Sequence, residues 1–106
     1  MSATLPDLRL DIAAPDVDPI LRAATLVGDR TRAGILAMLG DGPHCVCEIA
    51  AALGERQNNV SNHLAQLREA GLVRTVRGSV DSRRVYYERD DSACRAALAA
   101  LASVLT

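Results

Sequence analysis

The sequence predicts one small domain, mainly α-helical with a β-hairpin, in the order α-α-α-α-β-β-α. Three observations carry that prediction. Apolar residues recur at helical spacing in four successive segments and again in a last one. Glycines close the segments at Gly28, Gly40, Gly54 and Gly71. The one stretch that breaks the helical period, residues 72–89, is rich in β-branched and aromatic residues. The core has to be aliphatic, because Phe and Trp are absent and Tyr86 and Tyr87 are the only aromatics. With 106 residues, 49% of them hydrophobic and 24% charged, the chain can bury one core and is too short for two.

Each element has its own signal. Residues 1–17 contain Pro6, Pro15 and scattered aspartates without periodicity, and are expected to form an arm with a short extended piece at Leu8–Ile12. The folded domain is expected over residues 18–106. Asp18-Pro19 reads as a cap and first turn, followed by Ile20, Ala23, Ala24 and Val27 on one face. Asp29 caps a second helix whose Ile35, Leu36 and Leu39 point inward, and Gly40-Asp41-Gly42-Pro43 stops it. A short third helix runs from Cys45 to Leu53 on Val46, Ile49, Ala50 and Leu53. A fourth, Gln57 to Ala70, buries Val60, Leu64 and Leu67. Leu72–Arg77 and Arg83–Arg89 are expected to be strands flanking a polar tip at Gly78–Ser82, and such a hairpin must lean on the helices. Asp90, Asp91 or Ser92 caps a last helix whose Cys94, Ala97, Leu98, Leu101, Val104 and Leu105 share a face that has to pack on something.

Composition narrows the function. No apolar stretch approaches the roughly 18 to 20 residues that span a bilayer, and the start lacks a signal-peptide pattern, so a cytoplasmic protein without a membrane partner is expected. Three cysteines cannot complete a disulfide framework and are expected to be free thiols or ligands. All twelve basic residues are arginine. Six of them, Arg56, Arg68, Arg74, Arg77, Arg83 and Arg84, lie between positions 56 and 84, opposed only by Glu69 and Asp81. A basic segment in an otherwise acidic chain outlines a nucleic-acid contact surface, although solvated faces would look the same.

Helix three, a sharp turn, helix four and a two-stranded wing, in that order, define a winged helix-turn-helix, in which the second helix of the pair enters the major groove. Helix four has the chemistry for it. Gln57, Asn58, Asn59, Ser61, Asn62 and Gln66 precede its first acid, Glu69. Amides pair bidentately with adenine, and amides and hydroxyls also hold phosphates. His63, at the edge of the core stripe, either packs half-buried or reaches a phosphate. Arg56 is a candidate phosphate contact, as are Arg68 on helix four and Arg74, Arg77, Arg83 and Arg84 on the wing; solubilising charge is the competing reading for the wing arginines.

Here the chain resembles the ArsR/SmtB family of metalloregulatory repressors. Asp29-Arg30-Thr31-Arg32-Ala33-Gly34-Ile35-Leu36 is similar to the family's second-helix signature. The stretch from Gln57 to Val73 is similar to its recognition helix and the start of its wing, and Arg84-Val85-Tyr86-Tyr87 to its returning strand. The resemblance covers roughly residues 18–105. It implies a homodimer, joined through the first and last helices, that binds double-stranded operator DNA and releases it when metal binds. Two departures stand out: Arg30 replaces the usual Pro, and Glu55-Arg56 replaces an apolar residue and a Ser or Thr that would cap helix four. A lost cap costs about 1 kcal/mol.

Cys45-Val46-Cys47, followed by Glu48, is similar to the motif of the family's arsenic-responsive branch and implies As(III) or Sb(III) as inducer. Thiolates suit thiophilic ions, and a helix N-terminus is expected to lower the thiol pKa. In a regular helix residues i and i+2 point about 200° apart. Both sulfurs therefore reach one ion only if Cys45 lies in a non-helical lead-in or the first turn distorts. The family's usual third cysteine position is Ala50 here. Cys94 then either completes a trigonal thiolate set or sits in the core as a small hydrophobe. His44 either serves zinc or cadmium or, the favoured reading after Pro43, is a solvent-exposed loop residue. Two other functions compete: the same repressor fold sensing cadmium, lead, zinc or thiol oxidation, and a small Cys-x-Cys thiol-disulfide enzyme. The latter lacks the strand–helix alternation of thioredoxin-like folds, so no enzyme is expected.

Overall fold

The computed structural model describes residues 12–77 and 84–106. Helix α1 (Asp18–Val27) leads into α2 (Arg30–Met38), which tightens into a 3-10 turn at Leu39–Asp41. There follow β1 (His44–Cys45), α3 (Val46–Leu53), α4 (Gln57–Glu69), β2 (Val73–Arg77), β3 (Val85–Arg89) and α5 (Asp91–Ser103). Five helices and the wing strands stand where the sequence places them, and α3, turn, α4 and wing form a winged helix-turn-helix. The expected arm piece at Leu8–Ile12, apart from an exposed Ile12, and the wing tip at Gly78–Ser82 lie outside the described residues.

Three details differ from expectation. The sheet has three strands rather than two, in the order β1-β3-β2. Cys45 does not open α3; it is extended (φ −86°, ψ 166°) and lies opposite Tyr86, as His44 lies opposite Tyr87. Gly42, at φ 134°, turns the chain ahead of it in a way that a residue with a side chain rarely adopts. The residue before the first turn of α1 is Val17, and Asp18 lies inside that turn. Of the three candidate caps for α5, Asp90 is the one used, its carboxylate accepting the Ala93 N–H at 3.0 Å.

The core is aliphatic, as the composition requires. Ile35, Ile49, Val60, Leu64 and Leu67 are fully buried, and Leu36, Leu39, Leu72 and Val73 complete the layer where α2, α3 and α4 meet the sheet. A side chain at Gly34 would come within 3.1 Å of Leu53, so this glycine sets how closely α2 packs on α3. Gly54 (φ 67°) makes the left-handed turn that separates α3 from α4. Neither α1 nor α5 has a fully buried residue. Leu21 on α1, Leu98 on α5 and Val104 and Leu105 just past its end remain exposed, so the apolar stripe foreseen for the last helix is only half covered. Among the described residues no helix is long and apolar enough to cross a membrane.

Candidate thiol and DNA-recognition sites

Because Cys45 is extended and Cys47 belongs to the first turn of α3, their side chains converge. The two sulfurs lie 2.6 Å apart, which meets the condition set by the sequence. Cys45, on the strand paired with β3, is buried, whereas Cys47 is half-buried. The mouth of α3 is closed by a capping box: the Glu48 carboxylate accepts the Cys45 N–H at 2.9 Å, and the Cys45 sulfur turns towards the Glu48 N–H. The Cys45 N–H, and after it the Cys45 thiol, hold the Glu48 carboxyl below the usual range.

The thiol expectation needs correction. Burial pushes the Cys45 thiol up, and its bond with Cys47 pushes the same way, outweighing the Glu48 N–H at the helix start. Nor is His44 a solvent-exposed loop residue. It pairs with β3, its Nδ1 stands 3.6 Å from a Glu48 oxygen, and that nitrogen is buried without a hydrogen-bond partner. Cys94 is half-buried against the core, with its sulfur directed at the Leu72 carbonyl at 3.8 Å. Among the described residues no three His, Cys, Asp or Glu side chains gather as a metal-ligand set. Within one chain, then, Cys94 does not join Cys45 and Cys47.

Helix α4 turns Val60, Leu64 and Leu67 inward and leaves Gln57, Asn58, Ser61, Asn62 and Arg68 exposed, with Arg56 exposed just before it. Three residues of the expected DNA-facing set, Asn59, His63 and Gln66, are engaged by other side chains of the protein. Asn59 is half-buried and donates from Nδ2 to Glu55 at 2.9 Å. His63 takes the packed alternative: its side chain is only 17% exposed, Nδ1 lies 3.1 Å from Arg32 and Nε2 lies 3.9 Å from Asp29.

The wing arginines divide as well. Arg74 is held by Glu88 at 2.6 Å and Asp90 at 3.2 Å, so its charge is already answered by carboxylates. The charges of Cys47 and Cys45, once ionised, are the first causes that hold the Arg84 guanidinium proton more firmly, and a hydrogen bond with Tyr86 adds to them. Arg77 ends β2 opposite Val85, and Arg83 lies outside the described residues.

One polar cluster escaped the sequence reading. Arg32 of α2 donates to the Leu26 and Thr25 carbonyls at the end of α1 and to Gln66 on α4, beside His63. Its only signal was its place in the second-helix signature.

Residues 29–75 match the model of the bacterial regulatory protein arsR family. Over 86 residues the chain is 38% identical to the HTH-type transcriptional regulator CmtR of Mycobacterium tuberculosis, taking in 81% of this chain and 70% of that protein. The chain belongs to the ArsR family. It is also 45% identical over 49 residues to the arsenical resistance operon repressor of Escherichia coli, covering 45% of this chain and 42% of that relative, less than half its length. The crystal structure of a possible transcriptional regulator for arsenical resistance superposes with a TM-score of 0.62 at 29% identity, covering 78% of this chain and 79% of that one. These relatives and the fold are those of transcription regulators, not enzymes, which removes the thiol-disulfide enzyme reading.

Within the ArsR pattern, the departure at Glu55-Arg56 has a structural answer. Arg56 stands at the N-cap of α4 with no side-chain hydrogen bond to the helix. Glu55 compensates from one residue earlier: it accepts from Asn59 in the first turn and from the Thr31 hydroxyl at 3.2 Å, tying the turn to α2.

Proposed function

We propose that the protein is a homodimeric repressor that holds double-stranded operator DNA through α4 and releases it when Cys45 and Cys47 hold a thiophilic ion, trivalent arsenic or antimony. The observation that carries this reading is the convergence of the two sulfurs at the mouth of α3, the helix that packs on α4. Thiolate sulfurs are soft ligands and select soft ions over oxygen-seeking ones.

The chain's own residues supply the switch. Holding an ion would draw the Cys45 and Cys47 sulfurs out of their mutual contact and towards a shared centre. Cys45 then turns from the Glu48 N–H, and the start of α3 loses its cap. Because Cys45 also pairs with β3, the same movement reaches the wing strand. Both act on the pose of α4, whose exposed Gln57, Asn58, Ser61 and Asn62 face the groove while Arg56 and Arg68 meet phosphate. Arg77, Arg83 and Arg84 stay candidates for backbone contact. The exposed apolar residues of α1 and α5 suit a second copy of the chain. A third donor to the ion is Cys94 of that second copy or a small-molecule thiol, and X-ray absorption of the arsenite complex of Cys94→Ser separates the two.

Fluorescence anisotropy on the DNA upstream of the protein's own gene tests the reading. Arsenite or antimonite should release it. Release by cadmium, lead, zinc or peroxide alone would transfer the site to another signal, and absence of binding without any ion would overturn the repressor itself.

A further inference from the structure

Two neighbouring helices, α1 and α4, converge on one guanidinium of α2. Arg32, in the first turn of α2, donates from Nε to the Leu26 carbonyl and from Nη2 to the Thr25 carbonyl at 3.1 Å. These belong to the last turn of α1, where carbonyls have no helical partner and the helix dipole favours a cation. Its Nη1 donates to Gln66 Oε1 at 2.7 Å and meets His63 Nδ1 at 3.1 Å, both on α4. A guanidinium has donors only, so Nδ1 accepts and the remaining ring N–H, on Nε2, faces Asp29. Asp29 is itself fixed, accepting the Arg32 N–H at 3.0 Å as the cap of α2. The guanidinium thus spans from α1 to the outward side of α4, with Nε, Nη1 and Nη2 all engaged.

We propose that Arg32 is a positioning residue for DNA recognition: by joining the end of α1 to His63 and Gln66, it fixes the pose in which α4 is presented relative to the helix that carries the exposed Leu21 face. This rests on the reading that α4 enters the groove. The clamp also explains why His63 and Gln66 stand on α4 with amide and imidazole side chains. Their acceptors hold α1 through Arg32, leaving base reading to Asn58, Ser61 and Asn62. Lysine cannot substitute, because a single ammonium on a flexible stem has no planar fork to reach both helices in fixed geometry.

The test uses the full chain and compares operator with unrelated DNA of equal length. Arg32→Gln and Arg32→Lys should weaken operator binding by roughly 3- to 30-fold, as found for residues that couple elements without touching the ligand. Binding to unrelated DNA should stay within about twofold, and the salt dependence should be unchanged, because no phosphate contact is lost. Gln66→Ala keeps the α1 half of the clamp and serves if Arg32→Gln fails to fold. Combined with Arg32→Lys it should cost no more than the larger single change. Equal loss on both DNAs, a shallower salt slope or additive losses would make Arg32 a plain structural or phosphate residue and overturn the proposal. If the unaltered protein binds both DNAs alike, the groove reading of α4 falls first and takes this one with it.

Discussion

The two helices of the helix-turn-helix begin in opposite ways. Helix α3 starts from a closed arrangement: Cys45 is buried and strand-paired, its N–H is taken by Glu48, and its sulfur turns to the Glu48 N–H. Helix α4 starts open, with Arg56 exposed and no side chain on its first N–H groups, braced only by Glu55 from outside the helix. Free N–H groups beside a guanidinium suit a phosphate, whereas an occupied cap made partly of thiol suits a signal that removes it.

The largest expected effect breaks the closed end. Cys45→Ser or Cys47→Ser should leave DNA binding intact and abolish release by arsenite, a coupling of about 5- to 150-fold in affinity for an ordinary allosteric site. Serine is a favoured N-cap, so Cys45→Ser should keep α3 folded, and circular dichroism checks this. Normal release of either variant would remove the site. At the open end, Arg56→Ser should do two things at once. It restores a cap, raising stability by about 0.5–1 kcal/mol in denaturant unfolding, and it removes a phosphate contact, lowering the salt slope of DNA binding by about 0.9. Greater stability with an unchanged slope would leave Arg56 a cap defect only.

Smaller effects follow from ionisation. The lowered Glu48 carboxyl contributes stability that is complete above about pH 4.3, the ordinary glutamate value, and is lost as pH falls through its folded value. The raised Cys45 thiol has the opposite sense. Its stability contribution is complete below about pH 8.5 and lost as pH rises beyond it. Iodoacetamide at neutral pH should therefore modify Cys47 before Cys45, and mass spectrometry with time reads the order. The smallest expected effect is that of Arg74→Gln: with Glu88 and Asp90 already on its guanidinium, it should leave the salt slope as it was while Arg68→Gln lowers it.

What was legible in the sequence is what depends on near neighbours. Helical spacing located five helices, and Cys45-Val46-Cys47 marked the thiol pair and the two ways its sulfurs could meet, a non-helical lead-in or a distorted first turn. What was not legible depends on residues far apart along the chain. β1 is two residues long, too short for any period to show, and exists because β3 pairs with it. The same pairing buries Cys45, which is why burial overrides the helix terminus at its thiol. Charge spacing identified the basic segment but could not show that Arg74 faces Glu88. His63 looked ambiguous because its partner, Arg32, is 31 positions away.

The central claim, that ion capture undoes the start of α3, is tested most directly by amide hydrogen exchange on the protein alone and with saturating arsenite. The account predicts that the Cys45 and Glu48 amides are protected without arsenite and lose that protection with it, while the middle of α4, at Val60 and Leu64, stays protected. Undiminished protection at the start of α3 under conditions where arsenite releases the DNA would contradict it.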